Sequence, residues 1–358
     1  VEDLKHPTDE VTIALVGKYV QLHDAYISVV EALKHGGITN RATVNIKWID
    51  SETVTDENAD SLLADVHGIL VPGGFGSRGI EGMICAIRYA RERKVPFLGL
   101  CLGMQLTIVE YARHVVGFHD AHSIEMDAGT THPVIALMPD QNGVENIGGT
   151  LRLGAYPCVL AEDSLAHRLY GSDTISERHR HRYEVNNDYR AALAEHGLKL
   201  SGISPDNRIV EMCELADHPF YIATQAHPEL KSRPNRPHPL FKGLVAAALQ
   251  YKKNPDFITR TSTFHEDSIA MKKQNRYWLS QYLFYFFFQL CCAHGADAIT
   301  CYLSILKHQK SGNIKHPVPR RQLFLLIYVK LPYFKLTVHL LRKLLHHGSH
   351  HLTGTAPV

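Results

Sequence analysis

Short apolar runs closed by glycine alternate with amphipathic stretches through the first part of the chain. VTIALVG (11–17), GILVPGG (68–74) and VPFLGLCLG (95–103) are nearly unbroken apolar runs that end in glycine. That is the pattern of strands covered on both faces in a parallel sheet. TVNIKWID (43–50) alternates, as a half-exposed strand does. Between these runs, Asp24 is placed to cap a helix through about Lys34, with Gly36 and Gly37 as its stop. Residues 80–93 put Ile80, Met83, Ile84 and Ile87 at helical spacing, and a further helix is predicted from about Met104 to Arg113. Strands alternating with helices at this spacing predict an α/β fold, with a doubly wound, mostly parallel sheet flanked by helices. Such a sheet gathers its functional groups at the carboxyl ends of its strands. From about 120 to 225 turn signals are denser, which predicts a mixed α+β extension. RIVEMCEL (208–215) and FYIATQAHPE (220–229) then read as adjacent strands returning to the sheet, and FKGLVAAALQY (241–251) as a closing helix.

Charge and aromatic content divide the chain where this pattern stops. The 358 residues are 45% hydrophobic and 21% charged, a globular balance, with a formal net charge of +2. That charge averages two unlike parts: residues 1–252 hold 24 Lys and Arg against 32 Asp and Glu, and residues 253–358 hold 14 against 4. The second part also carries 15 of the 31 Phe, Trp and Tyr. The expected organisation is a polar linker at 1–10, an α/β domain at 11–252 and an atypical basic, aromatic-rich tail at 253–358. Within the tail, residues 277–296 contain no Asp, Glu, Lys or Arg, which is long enough to span a bilayer. Ser280, Gln281, Gln289, His294 and Gly295 interrupt that stretch, and Lys330, Pro332 and Lys335 break the apolar residues 322–341. Basic residues beside apolar ones also suit surface adhesion to anionic lipid. With no convincing amphipathic period, the tail reads foremost as sequence not selected to fold, and membrane association is the weaker expectation. Its histidines His346, His347, His350 and His351 are spaced for a metal but lack supporting partners, so no metal site is expected.

Seven cysteines at irregular spacing, without a C-x-x-C pair, predict neither a zinc ribbon nor a disulfide framework and suit the reducing cytoplasm. No charged leader precedes an apolar stretch, and the chain opens on Val1, as a fragment of a longer protein would.

One cysteine stands out. Cys101 lies in GLCLGMQ (99–105), where an apolar strand turns into a helix between two glycines. Such an elbow exposes a nucleophile above the sheet, and a helix starting just beyond it favours thiolate. A thiolate attacking a carbonyl needs an acid or base and an oxyanion site. HPE (227–229) offers the first: the residue before proline is held extended, so His227 and Glu229 are expected on one side of the chain. VPGGFGSRG (71–79) offers the second through glycine N–H groups. No Gly-Lys-Ser/Thr follows it, so it is not read as a P-loop. RHRHR (178–182) reads by itself as a basic surface strand or anion patch, and nucleic acid is not an expected partner.

Taken together and in this order, LVPGGFGSRG with GMICAIRYAR, PFLGLCLGMQ, ERHRHRYEVN (177–186) and QAHPE resemble the class I (triad) glutamine amidotransferases. More narrowly, they resemble the glutaminase domain of the CTP synthase family, over roughly residues 8–252. The resemblance implies that Cys101 attacks the side-chain amide of L-glutamine, that His227 moves the protons and that Glu229 holds His227. It implies an oxyanion hole at Gly74 and Leu102, and glutamine contacts at Gly74, Phe75, Leu102, Gly103, Met104, Gln105, Glu125 and Arg182. Glu125 suits the substrate's ammonium and Arg182 its carboxylate. Hydrolysis needs no cofactor. In the family the ammonia goes to an N-terminal synthase domain that uses ATP and Mg²⁺ to convert UTP to CTP, with GTP as activator, matched here at Arg78. No phosphate-binding glycine loop with lysine is found in this chain, so that synthase domain is the implied partner. The family's QFHPE segment here carries Ala226 in its apolar slot. Two other readings are a glutaminase serving GMP or anthranilate synthesis, against which RHRHRYEVN argues, and a fragment that acts only as a subunit.

Overall fold

The computed structural model describes residues 6–137 and 151–254. The apolar stretches 277–296 and 322–341 and the tail histidines lie outside the described residues. Twelve strands run in chain order as β1 (Asp9–Gly17), β2 (Ala42–Asp50), β3 (Gly68–Val71), β4 (Phe97–Leu100), β5 (His122–Ser123), β6 (Pro133–Ala136), β7 (Arg152–Leu160), β8 (Thr174–His181), β9 (Glu184–Val185), β10 (Leu198–Ile203), β11 (Val210–Leu215) and β12 (Tyr221–Thr224). The helices are α1 (Ile27–Thr39), α2 (Ala59–Leu63), α3 (Ile80–Glu92), α4 (Leu102–Tyr111), α5 (Leu165–Tyr170), α6 (Arg190–Glu195) and α7 (Pro239–Lys253).

Nine strands form the main sheet in the order β2-β1-β3-β4-β12-β11-β10-β7-β8. From β2 to β12 every neighbouring pair is parallel. From β12 to β8 every pair is antiparallel, and this half is the extension expected after residue 120. A small second sheet orders β5-β6-β9.

The apolar runs are covered on both faces. In β1, Ala14 and Val16 join a core that holds Ile69, Phe97 and, from α3 and α4, Met83, Ile87, Leu106 and Ile108. Ile13 and Leu15 face the other way, into a core with Leu70, Leu98, Leu33 of α1 and Phe241 and Leu244 of α7. Each large side chain moved from water into these layers contributes roughly 1.5–3 kcal/mol. The sheet's topology therefore follows from period-two alternation within strands that have no wet face.

Four expectations are corrected. The helix at 27–39 does not stop at Gly36 and Gly37 but runs through them to Thr39. A methyl group on Gly36 would lie 2.8 Å from the Phe241 carbonyl oxygen, and one on Gly37 2.6 Å from that of Ala42. These glycines let backbone approach backbone instead of ending the helix. Asp24 sits in a separate 3₁₀ turn, His23–Tyr26, and makes no side-chain cap bond. Residues 9 and 10, read as linker, pair in register with Ala42 and Thr43, and Lys252 holds the Asp9 carboxylate at 3.0 Å. Helix α4 begins at Leu102, two residues earlier than its apolar periodicity indicated, because the turn at Cys101 launches it directly.

Among the described residues, no helix is long and apolar enough to cross a membrane.

Candidate active site

The site lies at the carboxyl ends of the parallel strands. At the end of β4 the chain turns on Cys101, whose backbone angles are φ 51° and ψ −102°. A side-chain-bearing residue held there costs on the order of 1–3 kcal/mol and persists only where its surroundings fix it. Its N–H donates to the Thr224 carbonyl at 2.8 Å, and its own carbonyl accepts from Met104 and Gln105 N–H at 3.1 Å each. The sharp turn brings α4 hard against β3: a methyl group on Gly103 would lie 2.2 Å from the Val71 carbonyl oxygen. Gly103 is thus a packing requirement of the elbow.

At the end of β12 the chain delivers His227, whose N–H donates to the Arg178 carbonyl of β8 at 2.7 Å. His227 itself has φ −113° and ψ 71°, and Pro228 opens a 3₁₀ turn that runs to Lys231. The expected extended segment is therefore a turn. It still puts the carboxylate beside the ring, with Nδ1 of His227 2.7 Å from Oε1 of Glu229. The other ring nitrogen, Nε2, is buried and has no hydrogen-bond partner of ordinary geometry. Cys101 interacts with the His227 side chain and favours its charged form. Gly73 marks their proximity: a methyl group there would lie 2.9 Å from Cε1 of His227 and 3.4 Å from Cβ of Cys101. Burial opposes a charge on His227, but Cys101 and then Glu229 outweigh it and raise its pKa to about 10.

The glycine-rich loop after β3 closes the third side. Gly74 packs on Leu102, with 3.3 Å from a methyl group at Gly74 to Leu102 Cδ2. Phe75 is 54% exposed. Glu125 is half-buried. Burial pushes its pKa up, while the Gly76 N–H, Lys18 and Arg182 pull it down. Arg182 keeps a buried Nε without a hydrogen-bond partner. Gln105 is buried and donates to the Tyr183 carbonyl at 3.1 Å. Met104 is fully buried in the core, so only its backbone is left to face a ligand. Arg78 is exposed, pairs with Glu52 and donates to the Lys18 carbonyl at 2.9 Å.

The RHRHR strand divides by side. Arg178 and Arg180 face solvent, while His179 and His181 point inward and bond to each other at 2.9 Å. Burial and then Arg152 push His179 down to about 3, so it is uncharged at neutral pH. Only the arginines form the basic surface expected from the sequence.

Three residues escaped the sequence reading. Gly73 lies alongside both the His227 ring and Cys101, with no room for a side chain. Gln225 is fully buried, with its Nε2 3.7 Å from the Cys101 sulfur. Lys18 is 1% exposed, and its ammonium bonds to the Phe75 carbonyl at 3.0 Å and to the Gly76 carbonyl. Its signal was available: it is the first residue after an apolar strand run, at the edge where such sheets bind ligands.

A thiol, an imidazole and a carboxylate thus meet beneath a glycine loop, with a carboxylate and an incompletely bonded guanidinium nearby. The profile of the family described as glutamine amidotransferase class-I matches residues 21–247. The chain belongs to the class I glutamine amidotransferases. Within this family it is 59% identical, over 254 residues, to the CTP synthase of Clostridium beijerinckii, covering 71% of this chain and 47% of that protein. It is 56% identical over 263 residues to the CTP synthase of Synechococcus sp., covering 74% and 48% respectively. The chain spans about half the length of these curated relatives. A solved glutaminase domain of Trypanosoma brucei CTPS with bound acivicin is 38% identical and superposes with a TM-score of 0.63, covering 67% of this chain and 94% of that one. The amidotransferase unit described here is therefore a glutaminase domain of the CTP synthase type.

Proposed function

We propose that this chain hydrolyses L-glutamine to glutamate and ammonia through Cys101, His227 and Glu229. The observation that carries the reading is that Glu229 holds Nδ1 of His227 while the same imidazole is coupled to Cys101 strongly enough to raise its pKa. Arg182 takes the substrate's α-carboxylate with the donor left free at Nε, and Glu125 takes its α-ammonium. His227, charged at neutral pH, already holds the thiol proton when sulfur adds to the amide carbon. The developing oxyanion is met by backbone N–H groups of Gly74 and Leu102, the latter at the first turn of α4. Collapse breaks the carbon–nitrogen bond, and His227 returns its proton to the leaving nitrogen, which departs as ammonia. The same imidazole then activates water to cleave the γ-glutamyl thioester, giving glutamate and free thiol. Pocket contacts by Phe75 and by the backbone of Gly103 and Met104, with Gln105 beneath them, complete the glutamine site.

By likeness to the CTP synthases, the ammonia serves a synthase domain that aminates UTP to CTP with ATP and Mg²⁺. GTP is the activator implied at Arg78. There the guanidinium is already taken up by Glu52 and the Lys18 carbonyl, so a nucleotide phosphate has to displace Glu52 to reach it.

An electrophilic glutamine analogue tests the assignment. It is expected to alkylate Cys101 alone among Cys85, Cys101, Cys158 and Cys213, with glutamine protecting. Burial pushes the thiols of Cys85 and Cys158 up to about 12 and that of Cys213 further, so none of these is a ready nucleophile. Labelling of another cysteine, or no protection by glutamine, contradicts the reading.

A further inference from the structure

We propose that Lys18 is a positioning residue for this reaction: its ammonium clamps the carbonyls of Phe75 and Gly76 and so fixes the direction of the peptide N–H groups of the glycine-rich loop over Cys101. The inference rests on the glutaminase reading for its catalytic part, and on geometry alone for the clamp.

A lysine is almost never fully buried without a purpose for its charge. Lys18 is 1% exposed and is pinned along its backbone, where its N–H donates to the Tyr26 hydroxyl at 3.1 Å and its carbonyl accepts from Arg78 at 2.9 Å. Its stem runs under the loop, with Cδ and Cε each 3.7 Å from where a Gly74 methyl group would be. Its ammonium then takes two successive carbonyls, those of Phe75 and Gly76. Successive carbonyls do not converge in extended chain. They do so here because Gly76 adopts φ 74°, which glycine reaches without strain.

The consequence follows from peptide planarity. In a trans peptide the C=O and N–H point in opposite directions. With the Phe75 oxygen drawn to Lys18, the Gly76 N–H points the other way, and it is directed at the Glu125 carboxylate. One peptide plane is therefore held between a cation and an anion. Anchoring this plane limits how the chain can turn at Phe75 and, before it, at Gly74, which packs on Leu102 and carries the proposed oxyanion N–H. Without the ammonium, the two carbonyls lose this shared donor and the plane is free to rotate. Lys18 also ties the loop to Glu125, so glutamine's ammonium and the loop share one electrostatic unit. Burial lowers the Lys18 pKa to about 8, which Glu125 opposes and Arg78 reinforces, so the clamp keeps its charge at neutral pH.

Hydrogen exchange at residues 73–79 and glutaminase kinetics, measured on the full chain, test this together. Lys18→Met is expected to speed exchange in that loop while leaving the β1 and α3 peptides unchanged. It is expected to lower kcat by about 10- to 100-fold, the scale of losing oxyanion alignment, with KM within about threefold. Lys18→Arg, which keeps a charged donor, is expected to restore slow exchange and most of kcat. Should Lys18→Met not fold, Lys18→Gln is read in the same way. Unchanged loop exchange, or unchanged kcat in a folded variant, overturns the proposal. If the wild-type chain releases no ammonia, the glutaminase reading fails by itself, and loop exchange still decides the clamp.

Discussion

His227 Nδ1 lies 2.7 Å from Glu229 Oε1, across the proline that separates the two residues. The turn opened by Pro228 folds the carboxylate back on to the ring, which leaves Nε2 as the nitrogen presented to Cys101. Glu229→Gln keeps the shape of this turn and removes its charge. It is expected to lower kcat by roughly 10²- to 10⁴-fold, as loss of an orienting carboxylate does in other triads. The His227 pKa should fall as well. Steady-state ammonia release and imidazole NMR titration check the two effects separately.

The high His227 pKa sets the sign of a stability effect. A histidine whose folded pKa stands at about 10, above its ordinary 6.5, stabilises the fold most fully below pH 6.5. That contribution is lost as pH rises from there through about 10. Cys101→Ala removes the strongest of the interactions holding the pKa up. The variant should therefore show a flatter decline of unfolding free energy between pH 6.5 and 10 than the wild type. Urea melts across that range measure it, and parallel curves would mean the two side chains are not coupled.

Arg182 carries a buried Nε with no hydrogen-bond partner, and the proposed function assigns it the substrate carboxylate. Arg182→Met is expected to raise KM for glutamine by about 10- to 100-fold, the worth of a charge-assisted hydrogen bond. Reactivity of Cys101 towards iodoacetamide should be unaffected. A KM equal to wild type removes Arg182 from substrate binding.

Gly103 packs against the Val71 carbonyl with no room for a methyl group. Gly103→Ala must therefore push α4 off β3, with an expected stability loss of about 1–3 kcal/mol. Denaturant midpoints give the value, and a loss within error of zero would show that the elbow yields easily.

Lys18 predicts an alkaline limb. Its charge is lost as pH rises through about 8, so activity should fall there, and Lys18→Arg should move that limb upward. Stability carries the opposite sign. A lysine with a lowered folded pKa binds fewer protons folded than unfolded between about 8 and its ordinary 10.5, so this group's contribution rises with pH across that interval. Rate and melting profiles taken on the same samples separate the two.

How much of this was legible in the sequence depends on how local each cause is. The strands around Cys101 were visible because they are buried on both faces and closed by glycine, signals contained in a few neighbouring residues. The flanking glycines of Cys101 and the HPE triplet were visible for the same reason. Gly36 and Gly37 carry the local signal of a helix stop, but Gly36 answers to the Phe241 carbonyl, some two hundred positions away, and Gly37 to the Ala42 carbonyl of the next strand. Glu229 was expected on an extended segment, whereas Pro228 starts a turn that reaches the same partner. His179 and His181 carry the period-two pattern of a strand's inner face, but polar side chains concealed which face was buried. Lys18 stands at the binding edge of the sheet by its place after the apolar run of β1, but the carbonyls it holds lie more than fifty positions away.

The central claim is that the sulfur of Cys101 and the imidazole of His227 act as one reacting pair on glutamine. Ammonia release by the full wild-type chain and by Cys101→Ala, at equal concentration and saturating glutamine, tests it most directly. The account predicts steady release from the wild type and a loss of at least about 10³-fold in the variant. Equal release from the two proteins would contradict it.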